Sequence, residues 1–435
     1  MHIVVISKQS TTRYYMSNKA LRSMQQDTPQ TGQLQIQVNS VLGLLPIDNA
    51  TISISYTGNP DTIIEQLRTD NSGETATIDL PAPPIEYSME PVAEQPYSEY
   101  NIRIDAEGYD PVFISGTEIL PDTLAIQPVR MEPIENQIIS EDIVIPDHTL
   151  FGMYPPKIPE DEIKPMDESG EIVLSRVVIP EYIIVHDGVP NDASAPNYYV
   201  RYRDYIKNVV SSEVYATWSE NTLYANTLAI LSFTLNRVYT EWYRNQGYDF
   251  TITSSTAYDQ KWMRGRNIYD NVDYIVDSIF ANFLSRPGVR QPILTSYCDG
   301  QRVTCDGLSQ WGSKFLGDEG YQPIEIIHYY YGSDMYINTS ELISGVPSSW
   351  PGYNLTVGSS GNKVQQMQEQ LNRIAQNYPA LPTITPDGIF GTATENAVRT
   401  FQRIFNLPQT GIVDYPTWYE ISEIYVGVSR IAEPG

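Results

Sequence analysis

The spacing of hydrophobic positions divides this chain into regions of different period. From Gln33 apolar and polar residues alternate. Leu34, Ile36 and Val38 interleave with Gln33, Gln35 and Gln37, and Ile52 and Ile54 with Thr51, Ser53 and Ser55. Ile102 and Ile104 interleave with Asn101, Arg103 and Asp105, and Thr75, Thr77 and Asp79 alternate with Ala76, Ile78 and Leu80. A period of two marks half-buried strands. Turn signals at Asp48-Asn49, Asn71-Ser72-Gly73 and Glu107-Gly108 separate the runs. Residues 33–133 are therefore expected to form a small β-sandwich. Residues 1–32 are polar and punctuated, and poor order is expected there. Residues 134–178 are rich in acids and prolines, as in DHTLFGMYPPKIPEDEIKPMDESGE, and read as a linker that cannot fold alone and is open to proteases.

The period becomes helical at Tyr205. Ile206, Val209 and Val210 form an apolar stripe, and Glu213 falls three and four positions past the two valines. It continues the apolar face instead of facing water. A carboxyl group there is costly to ionise, so its pKa should rise, which suits a general acid. The other reading is a buried acid held by an arginine or a backbone donor. Ser219 or Asn221 can cap a second helix, with Leu228, Leu231, Leu235, Val238 and Trp242 on one face and Gly247 as its stop. A strand-like FTITSS run follows at 250–255. A third helix is expected over 268–284 and a short one ending at His328-Tyr-Tyr-Tyr-Gly332. The central domain spans 179–345, and 346–352 is a second linker. In the last domain, 353–435, Val364, Met367, Leu371 and Ile374 mark one helix and Ala397, Val398 and Phe401 another. Gly388-Ile389 with Thr394 recurs 23 positions later as Gly411-Ile412 with Thr417. The fold class is multidomain α+β.

Composition narrows the function. A formal charge of −26 argues against nucleic acid and against an anionic membrane surface, both of which need clustered Lys and Arg. No run of about 18 apolar residues is present to span a bilayer. The first twenty residues lack a charged n-region and do not read as a secretory signal, and Met16 is an alternative start. Tyrosine, at 32 residues against 27 Lys plus Arg, suits sugar stacking as well as ordinary strand and helix packing. Cys298 and Cys305 could form a disulfide, bind a metal or stay as thiols. They supply at most half of a tetrahedral zinc site, and the nearest histidine in sequence is His328. No metal or cofactor is expected.

The runs VSSEVYATWSENTLYANTLAILSFTLNR, YDQKW, YCDGQRVTCDGLSQWGS and IEIIHYYYG occur in that order. They resemble the SpoIID/LytB-type glycan-cleaving domain, and the whole layout resembles the clostridial spore cortex-lytic enzymes of the SleC type. TDNSGET at 69–75, LPAPP at 80–84 and YNIRIDAEGY at 100–109 resemble a prealbumin-like domain. DGIFGTATENAVRTFQ at 387–402 resembles the three-helix peptidoglycan-binding type 1 domain.

The resemblance implies that Glu213 is the catalytic acid. It also implies that Ser309 and Gln310, and with less force Tyr258, Asp259 and Gln260, contact substrate; the alternative is that they support their loops. Val303-Thr304-Cys305 stands where many relatives read Gly-His-Gly, so any role of that histidine is unsupported here.

The implied activity is that of a lytic transglycosylase, which cleaves the bond between muramic acid and glucosamine in spore cortex peptidoglycan. Most glycosidases need two carboxylates, but in this reaction the sugar's own C6 hydroxyl is the nucleophile. Glu220 and Glu241 are candidate second acids for a hydrolase, or simply solvated helix positions. No nucleophile-elbow pattern supports a serine hydrolase. The resemblance further implies a spore-located zymogen, cut near residues 165–178 by a subtilisin-like protease. A non-catalytic peptidoglycan-binding wall protein is the alternative.

Overall fold

A computed structural model describes residues 30–41, 44–135, 138–164, 176–345 and 350–429. The expected disorder of residues 1–32 lies outside them as far as residue 29, but Gln30–Gly32 belong to the first strand; most of the expected cleavage window also lies outside.

Strands β1 (Gln30–Ser40), β2 (Thr51–Tyr56), β3 (Asn59–Arg68), β4 (Ile78–Ala82), β5 (Ser98–Asp105), β6 (Val112–Ile119), β7 (Leu124–Met131) and β8 (Glu141–Val144) form two sheets. One has the order β4-β1-β7 and the other β3-β2-β5-β6-β8. Leu34, Ile36, Val38, Ile52, Ile54, Ile102 and Ile104 are all buried in one core, on the faces that the alternation assigns. Residues 75–77 are not a strand. The Asp70 carboxylate accepts from the Ser72 and Glu74 N–H groups, and the Thr75 hydroxyl accepts from the Ile36 N–H at 3.0 Å. Gly73 has φ 77°, and a Cβ there would meet the Val38 carbonyl oxygen at 2.4 Å, so the turn requires glycine.

The central domain is built on α2 (Tyr202–Glu213) and α3 (Glu220–Tyr239), after the one-turn helix α1 (Glu86–Met89) in the first domain. Every residue of α2 except Asp204 is buried. Ser219 caps α3, its hydroxyl accepting from the Thr222 N–H. The helix ends at Tyr239, short of Trp242, because the chain turns through Glu241 at φ 48°. Gly247 instead closes a 3-10 turn over Arg244–Gln246. Helix α4 (Asp270–Ile279) is shorter at both ends than the expected 268–284. Ile268–Tyr269 pair antiparallel with β7, and Asn282–Ser285 pair antiparallel with Tyr336–Thr339. In both places tertiary strand pairing overrides helical spacing. Helices α5 (Gln310–Asp318) and α6 (Pro323–Tyr331) complete the domain.

The first two domains thus share a sheet. Their seam also holds a fully buried Glu118–Arg266 ion pair, with Arg266 donating to the Ser211 carbonyl at 2.7 Å. Asn267 exchanges two hydrogen bonds with the Glu118 backbone. The Trp218 indole donates to the Ser88 carbonyl at the end of α1. Residues 138–164 do not hang between domains. After β8 joins β6 in parallel, Ile145, Leu150 and Tyr154 are buried and anchor the stretch along the central domain. Those apolar residues, few among many acids, escape a reading by average composition.

The last domain comprises α7 (Asn362–Ala375), α8 (Thr392–Ile404) and α9 (Tyr415–Ser429). The repeated Gly-Ile turns have matching roles. Gln368 accepts from the Gly388 N–H and donates to Thr394 and the Ile389 carbonyl. Gln402 does the same with Gly411, Thr417 and the Ile412 carbonyl. Helix α9 docks on the central domain through a buried charge network. Arg203 pairs with Glu420 at 2.7 Å, with Asp277 at 3.0 Å and with Glu423. Lys207 joins Asp273 and Asp277, and Arg201 joins Glu423. Among the described residues no helix is long and apolar enough to cross a membrane.

Burial pushes Glu420 up to about 7, whereas the two arginines outweigh burial and hold Glu423 down at about 2. A raised carboxyl binds its proton more tightly in the folded state. Its contribution is therefore complete below the unfolded value of 4.5 and is lost as pH rises through 7. Glu420→Gln should flatten the fall in melting temperature between pH 5 and pH 8 by a few degrees, measured by calorimetry. A parallel curve for both proteins would remove Glu420 from the pH response.

Candidate active site

Glu213 is the last residue of α2, and the chain leaves the helix there in an extended conformation at Val214. Its side chain is fully buried. One carboxyl oxygen accepts from the Lys261 backbone N–H at 2.7 Å, and the other from the Gln310 side-chain amide at 3.1 Å. Burial raises its pKa, and the nearby Lys157 ammonium, with these two donors and the Tyr297 hydroxyl, pulls it partly back.

The loop that presents Lys261 is held from below. Asp259 accepts from Arg237 at 2.7 Å, from the Tyr243 hydroxyl at 2.6 Å, and from the Thr253 N–H and hydroxyl at 2.9 and 2.7 Å. Gln260 accepts from Tyr205 and Thr234 and donates to the Ile230 carbonyl. Both side chains are buried and directed into the domain, where they fix the loop. Tyr258 is half-buried, and its carbonyl accepts from Arg237 at 3.1 Å. Ser309 caps α5, its hydroxyl accepting from the Gly312 N–H, and this places Gln310 as the first residue of the helix. Of the five expected contacts, Gln310 alone bonds Glu213 directly, while Asp259 and Gln260 act on it through the loop.

Two buried polar atoms in this region lack a hydrogen-bond partner among the described residues, the Tyr154 hydroxyl and the Gln310 side-chain oxygen, and the Tyr297 hydroxyl faces Glu213 and Gln260. The charge of Glu213 acts on both tyrosines. Such groups can receive the hydroxyls of a sugar. Two further carboxylates belong to the region and both are fully engaged. Asp259 is paired with Arg237. Asp299 takes the Gln301, Arg302 and Val303 N–H groups on one oxygen and the Arg302 side chain on the other. Glu220 is exposed and Glu241 pairs with Arg244 at 3.5 Å, so both are ordinary surface acids. Cys298 and Cys305 are joined in a disulfide that closes the loop carrying Asp299 and Arg302. Among the described residues no cluster of three or more His, Cys, Asp or Glu side chains could hold a metal.

Tyr297 and Lys261 lie inside motifs visible in the sequence, but their roles depend on neighbours far along the chain. Tyr154 and Lys157 fall in the stretch read as linker, where LFGMY, an apolar cluster amid acids, was the available signal.

Comparison with known proteins matches two parts of the chain. Residues 195–278 match the family described as Stage II sporulation protein, SpoIID, and residues 360–421 match the putative peptidoglycan binding domain. The chain therefore combines a sporulation-type domain with a peptidoglycan-binding one. No curated protein matches it. Among solved structures, similarity is found to the minor pilin GBS52 of Streptococcus agalactiae. Identity is 14%, over 26% of this chain and 48% of that one, with a TM-score of 0.18. (S)-allantoin synthase shares 13% identity over 27% of this chain and 47% of that one, with a TM-score of 0.19. Acinetobacter radioresistens catechol 1,2-dioxygenase shares 12% over 27% and 59%, with a TM-score of 0.17. The chain spans about half the length of these structures, and the likenesses are too slight to assign anything.

Gln310→Leu removes one donor to the charged form of Glu213. The Glu213 carboxyl should then titrate higher than in the parent, because its charged form loses a donor, read from its carbon chemical shift by NMR. An unchanged or lower titration midpoint would mean that this hydrogen bond does not tune the acid.

Proposed function

We propose that this protein is a peptidoglycan lytic transglycosylase of the spore cortex-lytic type, with Glu213 as its single catalytic acid and base. The observation that carries this reading is one buried carboxyl group, raised by burial, with Asp259 and Asp299 nearby already engaged. Glu213 donates its proton to the glycosidic oxygen between muramic acid and glucosamine, and that bond breaks. The resulting carboxylate then takes the proton from the C6 hydroxyl of the muramyl unit, whose oxygen closes on C1 to give the 1,6-anhydro end. Water is not consumed, and the carboxyl ends protonated as it began. In this reading Tyr297 and Gln310 orient the sugar hydroxyls, Ser309 and Tyr258 contact the glycan, and Asp259 and Gln260 hold the loop.

In this reading α7–α9 hold the enzyme on peptidoglycan, and the first domain is a prealbumin-like pre-sequence. The protein is stored in the spore as a zymogen and activated during germination by a subtilisin-like protease that cuts near residues 165–178. A second reading, a non-catalytic peptidoglycan-binding spore protein, draws on one fact: Glu213 is inaccessible as the chain stands.

Glu213→Gln keeps the size of the side chain and removes the proton donor. After protease treatment the variant should lose new glycan ends by at least about a thousandfold, the upper part of the range for a general acid, yet still sediment with purified cortex. Near-normal turnover would exclude Glu213, and absence of new ends from the treated parent would favour the binding protein.

A further inference from the structure

A general acid must touch its substrate, yet no surface of Glu213 is open to solvent. Part of what covers it is not the central domain. Residues 147–164 run across the end of α2 as a strap without helix or strand. Tyr154 is buried in the region of Glu213 with its hydroxyl unpartnered. The Lys157 ammonium points inward, donates to the Asp259 carbonyl oxygen, and lies 4.3 Å from the centre of the Tyr297 ring and 5.1 Å from that of Phe233. Among the charges acting on Glu213, that of Lys157 is the strongest.

The strap is fastened on both sides of this point. Upstream, the Thr149 N–H donates to the Ser212 carbonyl at 3.2 Å, and the His148 ring packs on Tyr215 with centroids 4.4 Å apart. Arg302, held by Asp299, donates to the Thr149 carbonyl at 2.9 Å and to that of Gly152. Downstream, the Ile158 N–H donates to the Ala257 carbonyl at 2.8 Å, Glu160 pairs with Arg237, and Glu162 with Arg286. Lys164 and Gln291 exchange two hydrogen bonds of 3.0 Å. Pro155, Pro156 and Pro159 stiffen the crossing, so ordering it costs little chain entropy.

We infer that residues 147–164 are a built-in inhibitor lying where the glycan must lie, with Tyr154 and Lys157 as the plug over Glu213. The inference rests on the proposed reaction at Glu213 and adds the means by which the uncut chain is kept silent. Lys157 gives the buried carboxyl a cationic neighbour that a glycan cannot supply. Latency therefore belongs to a short segment and not to the first domain as a whole.

The test uses the whole uncut chain in three forms: parent, Tyr154→Ala with Lys157→Ala, and Arg302→Ala. The last loosens the strap without altering the plug or Glu213, and keeps the test valid if the double variant misfolds. Each is treated with a carbodiimide and glycine ethyl ester, and coupling at Glu213 is read by peptide mass spectrometry. New glycan ends on decoated cortex are counted in parallel. Coupling at Glu213 should be near zero in the parent and rise roughly tenfold or more in folded variants, as local opening exposes the site, together with new glycan ends. Coupling that stays flat in both variants, or a parent labelled as readily as a surface acid, overturns the strap. Coupling that rises without glycan ends upholds the strap and rejects the cleavage reaction.

Discussion

A carboxyl group with no access to water must be either neutral or well supplied with donors. Glu213 meets that constraint at the end of α2, and much of the central domain serves it. The Lys261 N–H reaches it because Asp259 and Gln260 fix the loop from beneath, and Gln310 reaches it because Ser309 starts α5 at the right point. Burial outweighs these donors and the Lys157 charge, so the proton is held more tightly than on an exposed glutamate. A raised carboxyl is what the proposed proton donation to an ether oxygen requires.

The same logic of buried charge joins the domains. Glu118 and Arg266 are both fully buried at the first seam, and Arg203 is surrounded by Asp277, Glu420 and Glu423 at the second. Such pairs contribute little net stability over apolar packing, but removing one partner leaves a stranded charge costing roughly 3–5 kcal/mol. They therefore fix how the domains meet more than how firmly. Because Arg266 also donates to Ser211, two residues before Glu213, the first domain is tied to the helix that carries the acid.

Periodicity made some of this legible. Helical spacing alone placed Glu213 on a buried face, and period two placed the apolar faces of β1, β2 and β5. The limits of α4 were not legible, because strand pairing at Ile268–Tyr269 and Asn282–Ser285 is a long-range effect, and the end of α3 is set by the turn through Glu241. Asp259 and Gln260 stand beside Lys261 in the motif, and adjacency cannot tell which side of a loop faces the domain. The strap was hidden for another reason. It has no period, its prolines and acids read as a linker, and its anchors Leu150, Tyr154 and Lys157 gain meaning only from the surfaces they meet.

The central claim is that one carboxyl group suffices because the sugar provides its own nucleophile. It is tested most directly by digesting cortex with the protease-treated protein in oxygen-18 water and weighing the new muramyl ends. Ends one water lighter than the hydrolysed product, carrying no heavy oxygen, are the predicted result. Reducing ends that carry one heavy oxygen would show that water attacks, and would contradict the account.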